Sequence, residues 1–437
     1  MDCDPDENPD IKPYCKIYKP CKMVVRCSFT KKDFLISSIS HGDIMKIRRH
    51  IFAITTAAML SAGAHAADIK IAVQGPFTGG SSSMGVSMRD GVRLAAKEIN
   101  AAGGINGNKI VLIERDDEAK NERGVQIAQE MINNEKVIVA LGYANTGVAL
   151  ASTRFYQDAK IPVIDNIATG SLVTRQFPNA PENYVFRIAA ADNIQAPMIA
   201  KEAVEKRGLK KVAILADSTN YGQLGREDLE KALKVYGVTP VAEEKFNLGD
   251  VDMTSQLLKA KNAGAEAILT YASGPELAQI ANGMAKLGWK KPIIGSWTLS
   301  MASFIDTAGK NGDGAVMPET FIQVGNTPKR KAFIDNYLKD FKPKNGIIAS
   351  PVSAAQGYDS VYVLAAAIKQ ANSTEGPKIL AALQDLKTPV EGVVMTYNKP
   401  FTAADHEAIK SKDVVMGVVE NGRVQYLNAE DAVAKKK

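Results

Sequence analysis

Ile69-Lys70-Ile71-Ala72-Val73 alternates as a strand and ends in Gly75-Pro76; Met88, Val92, Ala95 and Ile99 then recur at steps of four, three and four. The first pattern is a strand closed by a turn and the second is one face of a helix. That helix is predicted to stop at Gly103-Gly104. Working outward, Ile110 to Ile113 reads as the next strand, 118–133 as a helix, and Val137 to Leu141 and Pro162-Val163-Ile164 as two more strands. Such alternation predicts parallel sheets covered by helices on both faces.

A second set begins near residue 190. Val212 to Leu215 is a strand, and Leu229, Leu233 and Tyr236 mark a helix ended by Gly237. Ala267 to Leu269 and Pro292 to Ile294 are strands, separated by the helical face of Leu277, Ile280, Met284 and Leu287. A further helix is expected over 353–371 and a late strand from Val414 to Val419. The reading is α/β, with two lobes of similar size and neither a short repeat nor a low-complexity linker between them.

The chain has 437 residues, enough for two or three domains. Its hydrophobic share of 45% and charged share of 23% exclude wholesale disorder. The formal charge is +6, but residues 1–66 hold ten Lys/Arg and seven Asp/Glu, so the remainder carries only +3. That is too little to argue for nucleic acid or an anionic membrane surface.

The N-terminal part reads differently. Met45-Lys46-Ile47-Arg48-Arg49-His50 is basic, Ile51 to Leu60 is apolar, and Ala64-His65-Ala66 is a small-x-small cleavage sequence. That order is a secretory signal peptide. Its apolar part is shorter than the roughly 20 residues of a membrane span. Residues 1–44 then read as an extension from a translation start set too early, 45–66 as the signal, and Ala67 as the first mature residue. All four cysteines, Cys3, Cys15, Cys21 and Cys27, precede the cleavage point, and their spacing does not match zinc ligands. No cysteine follows it, which argues against a lipid anchor.

The expected mature chain therefore has no thiol and one histidine, His406. This excludes cysteine nucleophiles, paired-histidine zinc sites and redox dithiols. A Ser-His-Asp triad has only Asp405-His406 to draw on, and no Gly-x-Ser-x-Gly elbow accompanies it; a surface turn is the preferred reading. The glycine-rich loop from Gly75 to Gly85 matches neither dinucleotide nor P-loop spacing, so no cofactor is implied. Binding a carboxylate and making a sharp turn both remain open for it. Polar loops follow three other strands: Gly142 to Gly147, Ala168-Thr169-Gly170-Ser171, and Asp217 to Gly222. Open α/β sheets bind ligands where such loops meet.

Glu98-Ile99-Asn100-Ala101-Ala102-Gly103-Gly104-Ile105-Asn106-Gly107, with Asp116-Asp117 after the next strand, resembles the periplasmic proteins that bind branched-chain amino acids for ABC uptake. Pro162-Val163-Ile164 with Ala168-Thr169, and Asp217 with Tyr221-Gly222, extend the likeness over nearly all of 68–425. The resemblance implies two doubly wound parallel-sheet lobes joined by a three-strand hinge, the type I periplasmic-binding fold. Lobe 1 is expected at 67–190 and 321–390, and lobe 2 at 191–320 and 391–437. It also implies a ligand carboxylate held by Asn145 or Thr146, backbone Ile167 and Thr169, with Tyr221 covering it from lobe 2.

Two departures bear on specificity. Family members carry an ammonium-binding acid in the segment Gly295-Ser296-Trp297-Thr298, where this chain places Trp297. Aromatic positions of the family pocket align with Met84, Ser273 and Ser353 or a neighbour. Asp192 or Asp217 is then the candidate counter-charge for an amino acid. An aromatic or keto acid without an α-amine is the rival ligand, sandwiched by Trp297 and Tyr221.

The expected role is solute capture for a membrane permease, by a monomer that binds a small carboxylate or amino acid and needs no cofactor, metal or nucleic acid. A ligand-sensing receptor domain for amides and a periplasmic hydrolase using Asp405-His406 are the alternatives. Mass spectrometry of the exported protein should find no peptide from residues 1–66; recovery of peptides containing Cys15 or Cys21 contradicts both the cleavage and the late start.

Overall fold

The computed structural model describes residues 68–433; the expected signal peptide and upstream extension lie outside them. Among the described residues, no helix is long and apolar enough to cross a membrane.

Five strands form the first sheet: β1 (Ile69–Gly75), β2 (Ile110–Asp116), β3 (Val139–Gly142), β4 (Val163–Asp165) and β5 (Val185–Arg187). Their order is β2-β1-β3-β4-β5 and all pairs are parallel, with Ile71 opposite both Leu112 and Val139. Ile71, Ala72 and Val73 are all buried, because helices cover both faces of the sheet. The helix Ser82–Ala101 buries Met84, Met88, Val92 and Ala95 and ends before Gly103 and Gly104, at φ 103° and 79°. Across it lies Pro351–Ala371. Their backbones approach at two glycines. A Cβ on Gly91 would stand 2.1 Å from the Ala354 carbonyl oxygen, and one on Gly357 would stand 2.5 Å from that of Met88. A helix-interior glycine costs up to about 1 kcal/mol, and here it makes the crossing possible.

The second sheet contains β6 (Val212–Asp217), β7 (Ala242–Phe246), β8 (Ala267–Tyr271), β9 (Ile293–Gly295) and β10 (Val316–Glu319). After a two-stranded ribbon, β11 (Val390–Glu391) with β12 (Thr396–Tyr397), it gains β13 (Val415–Glu420) and β14 (Arg423–Tyr426), in the order β14-β13-β10-β9-β8-β6-β7. The last two strands depart from the parallel sheets expected. β13 runs antiparallel to β10 and β14 antiparallel to β13. No crossover helix is needed between them, since Asn421-Gly422, with φ of 51° and 75°, turns the chain in two residues. The fold is a type of mixed α/β.

The chain crosses between the sheets after β5, after β10 and again before β13. Val393, Tyr397, Phe401 and Ile409, on the way to the third crossing, pack in one buried cluster with Ile71, Val139 and Phe186 of the first sheet. At that crossing Arg187 and Glu407 pair as neighbouring backbone positions. Arg187 is fully buried; its Nε and Nη2 donate to the two Glu407 carboxylate oxygens at 2.8 and 2.5 Å. Its Nη1 donates to the carbonyls of Ala168 and Gly170, at 3.1 and 2.8 Å. Next to it, His406 corrects the surface-turn reading: it is only 5% exposed, its ring stacks on Phe186 at 4.1 Å, and Nδ1 bonds the Val185 carbonyl. The apolar face of an imidazole fills core space once its ring nitrogens find partners.

Burial raises the Glu407 carboxyl, but the charge and hydrogen bonds of Arg187 and the Thr174 hydroxyl outweigh it and hold the pKa below its ordinary value. A lowered folded-state pKa stabilises above the unfolded value and is lost as pH falls through the folded one. Glu407→Gln leaves Arg187 as a buried, unpaired charge. Urea unfolding at pH 7 should show a loss of about 3–5 kcal/mol, shrinking as Glu407 itself titrates in acid. A variant as stable as wild type at pH 7 contradicts this.

Candidate functional site

A cleft of about 310 Å³ opens where loops at the carboxyl ends of both sheets meet. From the first sheet come Met84, Asn145, Thr146, Ile167 and Thr169; from the second come Tyr221, Ser273, Trp297 and Thr298. Eight of the expected site residues are thus brought together, and Asp192, Asp217 and Ser353 are not.

Each loop is fixed by local hydrogen bonds. After β4, Asp165 Oδ1 accepts from the backbone N–H groups of Ile167 and Ala168, at 3.0 and 2.8 Å. Thr146 Oγ1 accepts from Gly170 N–H at 3.2 Å, and Arg187 grips the carbonyls on either side of Thr169. Thr169 is therefore held from three directions, while its own hydroxyl lies beside the Asp192 carboxyl and makes no hydrogen bond of normal geometry. After β6, Asp217 accepts from the Thr219 amide and hydroxyl, and Thr219 caps the helix Asn220–Val235 that carries Tyr221. The Tyr221 hydroxyl lies 2.5 Å from Ser296 Oγ, and Thr298 Oγ1 donates to the Ala272 carbonyl at 2.7 Å. The Trp297 amide donates to Gln195 Oε1 at 3.2 Å.

Three buried polar atoms of the lining have no partner: Thr169 Oγ1, Asn145 Oδ1 and Trp297 Nε1. Two of these can donate, one from each sheet, and an indole N–H can do nothing else. Unpaired buried donors cost about 1–3 kcal/mol each, which an anion in the cleft would offset. The sequence reading assigned Trp297 an apolar role and missed its N–H. It also missed Asn121, and it named Thr219 and Asn220 only as part of the loop Asp217 to Gly222; all three line the cleft. Asparagine-rich strand ends were the available signal for them.

Among the described residues, no buried carboxylate lines the cleft; Glu122, one of its lining residues, is exposed. Asp192 is fully buried behind Thr169, where its amide donates to the Thr169 carbonyl at 2.8 Å. Asp217 is likewise fully buried and is committed to Thr219. Neither stands among the lining residues, which corrects the expectation that one of them faces the ligand. Ser353 is buried against Ser350 and also stays outside, although its neighbours Val352 and Gln356 reach a small adjoining cavity behind Thr169 and Trp297. Among the described residues, no group of three or more His, Cys, Asp or Glu is placed to hold a metal ion.

The family model described as periplasmic binding protein matches residues 68–423. The leucine-, isoleucine-, valine-, threonine- and alanine-binding protein of Pseudomonas aeruginosa is 28% identical over 337 residues, which cover 76% of this chain and 87% of that one. A branched-chain amino acid transporter substrate-binding protein from Streptococcus pneumoniae, solved with isoleucine, is 26% identical with a TM-score of 0.72, covering 82% of this chain and 98% of that one. A solute-binding protein of an ABC transporter from Rhodopseudomonas palustris, solved with 3,4-dihydroxybenzoic acid, shares the fold. Its TM-score is 0.70 at 23% identity, with coverage of 82% and 95%.

Burial raises the Asp192 pKa to about 7, against the Thr169 hydroxyl and the Arg187 charge, which lower it. A raised folded-state pKa means that stability is lost as pH climbs from the ordinary carboxylate range toward 7. Asp192→Asn removes that loss. Its stability relative to wild type should improve by about 1.4 kcal/mol per pH unit between pH 5 and 7, read by urea unfolding. An equal difference at both pH values contradicts the assignment.

Proposed function

This chain belongs to the periplasmic binding protein family, and we propose that it captures a small organic carboxylate in the cleft between its sheets and delivers it to an ABC permease. It is a binding protein and not an enzyme. The observation that carries the ligand class is the pair of unpartnered buried donors, Thr169 Oγ1 and Trp297 Nε1, on side chains that line one cleft from two different sheets. A ligand that engages both favours the closed arrangement of the two lobes, because only there does it contact both. The Asn145-Thr146 loop and the Ile167 backbone complete the carboxylate cradle, with Tyr221 as its cover. Export through the signal at 45–66 and action as a monomer belong to the same reading.

A second reading concerns the α-ammonium. A branched-chain amino acid fits the relatives from Pseudomonas and Streptococcus, but its ammonium would enter a cleft without a buried carboxylate on its wall. An unpaired buried ammonium costs several kcal/mol. That favours an aromatic or keto acid, for which Trp297 and Tyr221 supply flat apolar faces.

A thermal-shift screen of amino acids, keto acids and aromatic acids identifies the ligand, and calorimetry then tests the residues. Thr169→Ala should weaken binding by about ten- to a hundredfold, the worth of one hydrogen bond to a charged group. Trp297→Glu should weaken an aromatic or keto acid and strengthen leucine. Tight leucine binding by wild type, with Trp297→Glu changing melting temperature but not affinity, contradicts the second reading and leaves the branched-chain one. Unchanged affinity for every ligand in Thr169→Ala contradicts the first.

A further inference from the structure

Away from the cleft, a second cavity of about 240 Å³ lies where the chain leaves β10 for the first sheet. Its walls are mostly apolar, with Ile305, Phe321, Ile322, Ile348, Pro351 and Val424 among them. Asp306 and Arg423, both exposed and of opposite sign, stand among its lining residues, and Asp306 already faces Lys344 at 3.6 Å. The buried end holds Glu319, the last residue of β10, which is only 1% exposed. Neither of its carboxylate oxygens has a hydrogen-bond partner.

That combination is unusual. A buried carboxyl normally finds an N–H, a hydroxyl or a cation, because an unpaired one carries its full desolvation cost. Two of its neighbours are already committed. Pro318 has no N–H to offer, and the Ser300 hydroxyl donates to the Trp297 carbonyl at 2.8 Å. The cavity beside Glu319 is large enough for a small organic molecule, and its apolar walls suit a hydrocarbon body. We infer that this cavity is a second binding site, for a small primary ammonium compound whose cation pairs with Glu319 and whose apolar part packs on Phe321, Ile348 and Val424. The site shares no lining residue with the cleft and does not rest on the ligand proposed there.

The charge bookkeeping gives the site a signature. Burial pushes the Glu319 pKa well above its ordinary value, opposed by the Ser300 hydroxyl, so burial favours the neutral acid in the free protein. An ammonium ion that binds there pairs with the carboxylate, and the Glu319 proton leaves to solvent. The ammonium keeps its own protons. Binding therefore releases one proton and tightens by up to about tenfold per pH unit below the free-state pKa.

The test uses isoamylamine as probe and isoamyl alcohol as its neutral counterpart. Calorimetry is run at pH 6 and 8, in two buffers of different ionisation enthalpy, on wild type and Glu319→Gln. The amine should bind wild type at least tenfold more tightly than the alcohol, release a proton, and bind more tightly at pH 8. Glu319→Gln should lose at least tenfold in amine affinity while melting at or above the wild-type temperature, which shows that its fold is intact. Equal binding of amine and alcohol, amine binding unaltered in Glu319→Gln, or no amine binding at millimolar concentration each overturns the proposal.

Discussion

Arg187 is a whole positive charge with no exposed surface, and the arrangement of the crossovers and of the ligand loop follows from how it is neutralised. Glu407 meets it with two parallel hydrogen bonds from a segment 220 positions further along the chain. The remaining guanidinium nitrogen takes the carbonyls of Ala168 and Gly170. One side chain thus ties the end of β5, the third crossing and the loop presenting Thr169 into a single unit. Buried ion pairs seldom add net stability, since desolvation consumes most of the attraction. Here the pair fixes geometry. A segment that must carry two sheets through a bend keeps its register because moving either partner would strand a charge.

On the proposed reading, some of the polar atoms left without partners are where that rigid frame meets its ligands. Thr169 and Trp297, whose Oγ1 and Nε1 are buried without partners, line one cavity, and Glu319 lines another. Each of these atoms lowers the stability of the free protein. Each also sits on backbone held by other bonds: Thr169 by Arg187 and Thr146, and Trp297 by the Gln195 contact to its amide. The donors are therefore positioned in advance, so binding spends little on ordering them. Asp165 works in the same way one layer back, folding residues 166–168 around its Oδ1.

Much of the fold was legible because helix and strand periods are local. The face of Met88, Val92 and Ala95, and the stop at Gly103-Gly104, follow from residues within one or two turns of each other. The antiparallel edge was legible too, in the Asn421-Gly422 pair, but the alternation of strands and helices before it argued for one more parallel strand. His406 was not legible. A lone histidine between two acids reads as a solvated turn until Phe186 is seen stacked beneath it. Asp192 failed for a similar reason: adjacency to the cleft was inferable, but only packing shows that it lies behind Thr169 and not in front of it. Most of the cleft was found through family likeness, because residues such as Asn145, Tyr221 and Trp297 converge only once the chain has crossed from the first sheet to the second.

The central claim is that a carboxylate is gripped by donors from both sheets at once. The described chain contains two tryptophans, Trp289 and Trp297, so ¹⁵N-tryptophan labelling gives two indole N–H signals to assign. Titration with the carboxylate identified by the thermal-shift screen should move the Trp297 indole N–H strongly downfield, as a free donor becomes a charge-assisted one, and leave Trp289 in place. A saturating ligand that leaves both signals where they were would contradict the account.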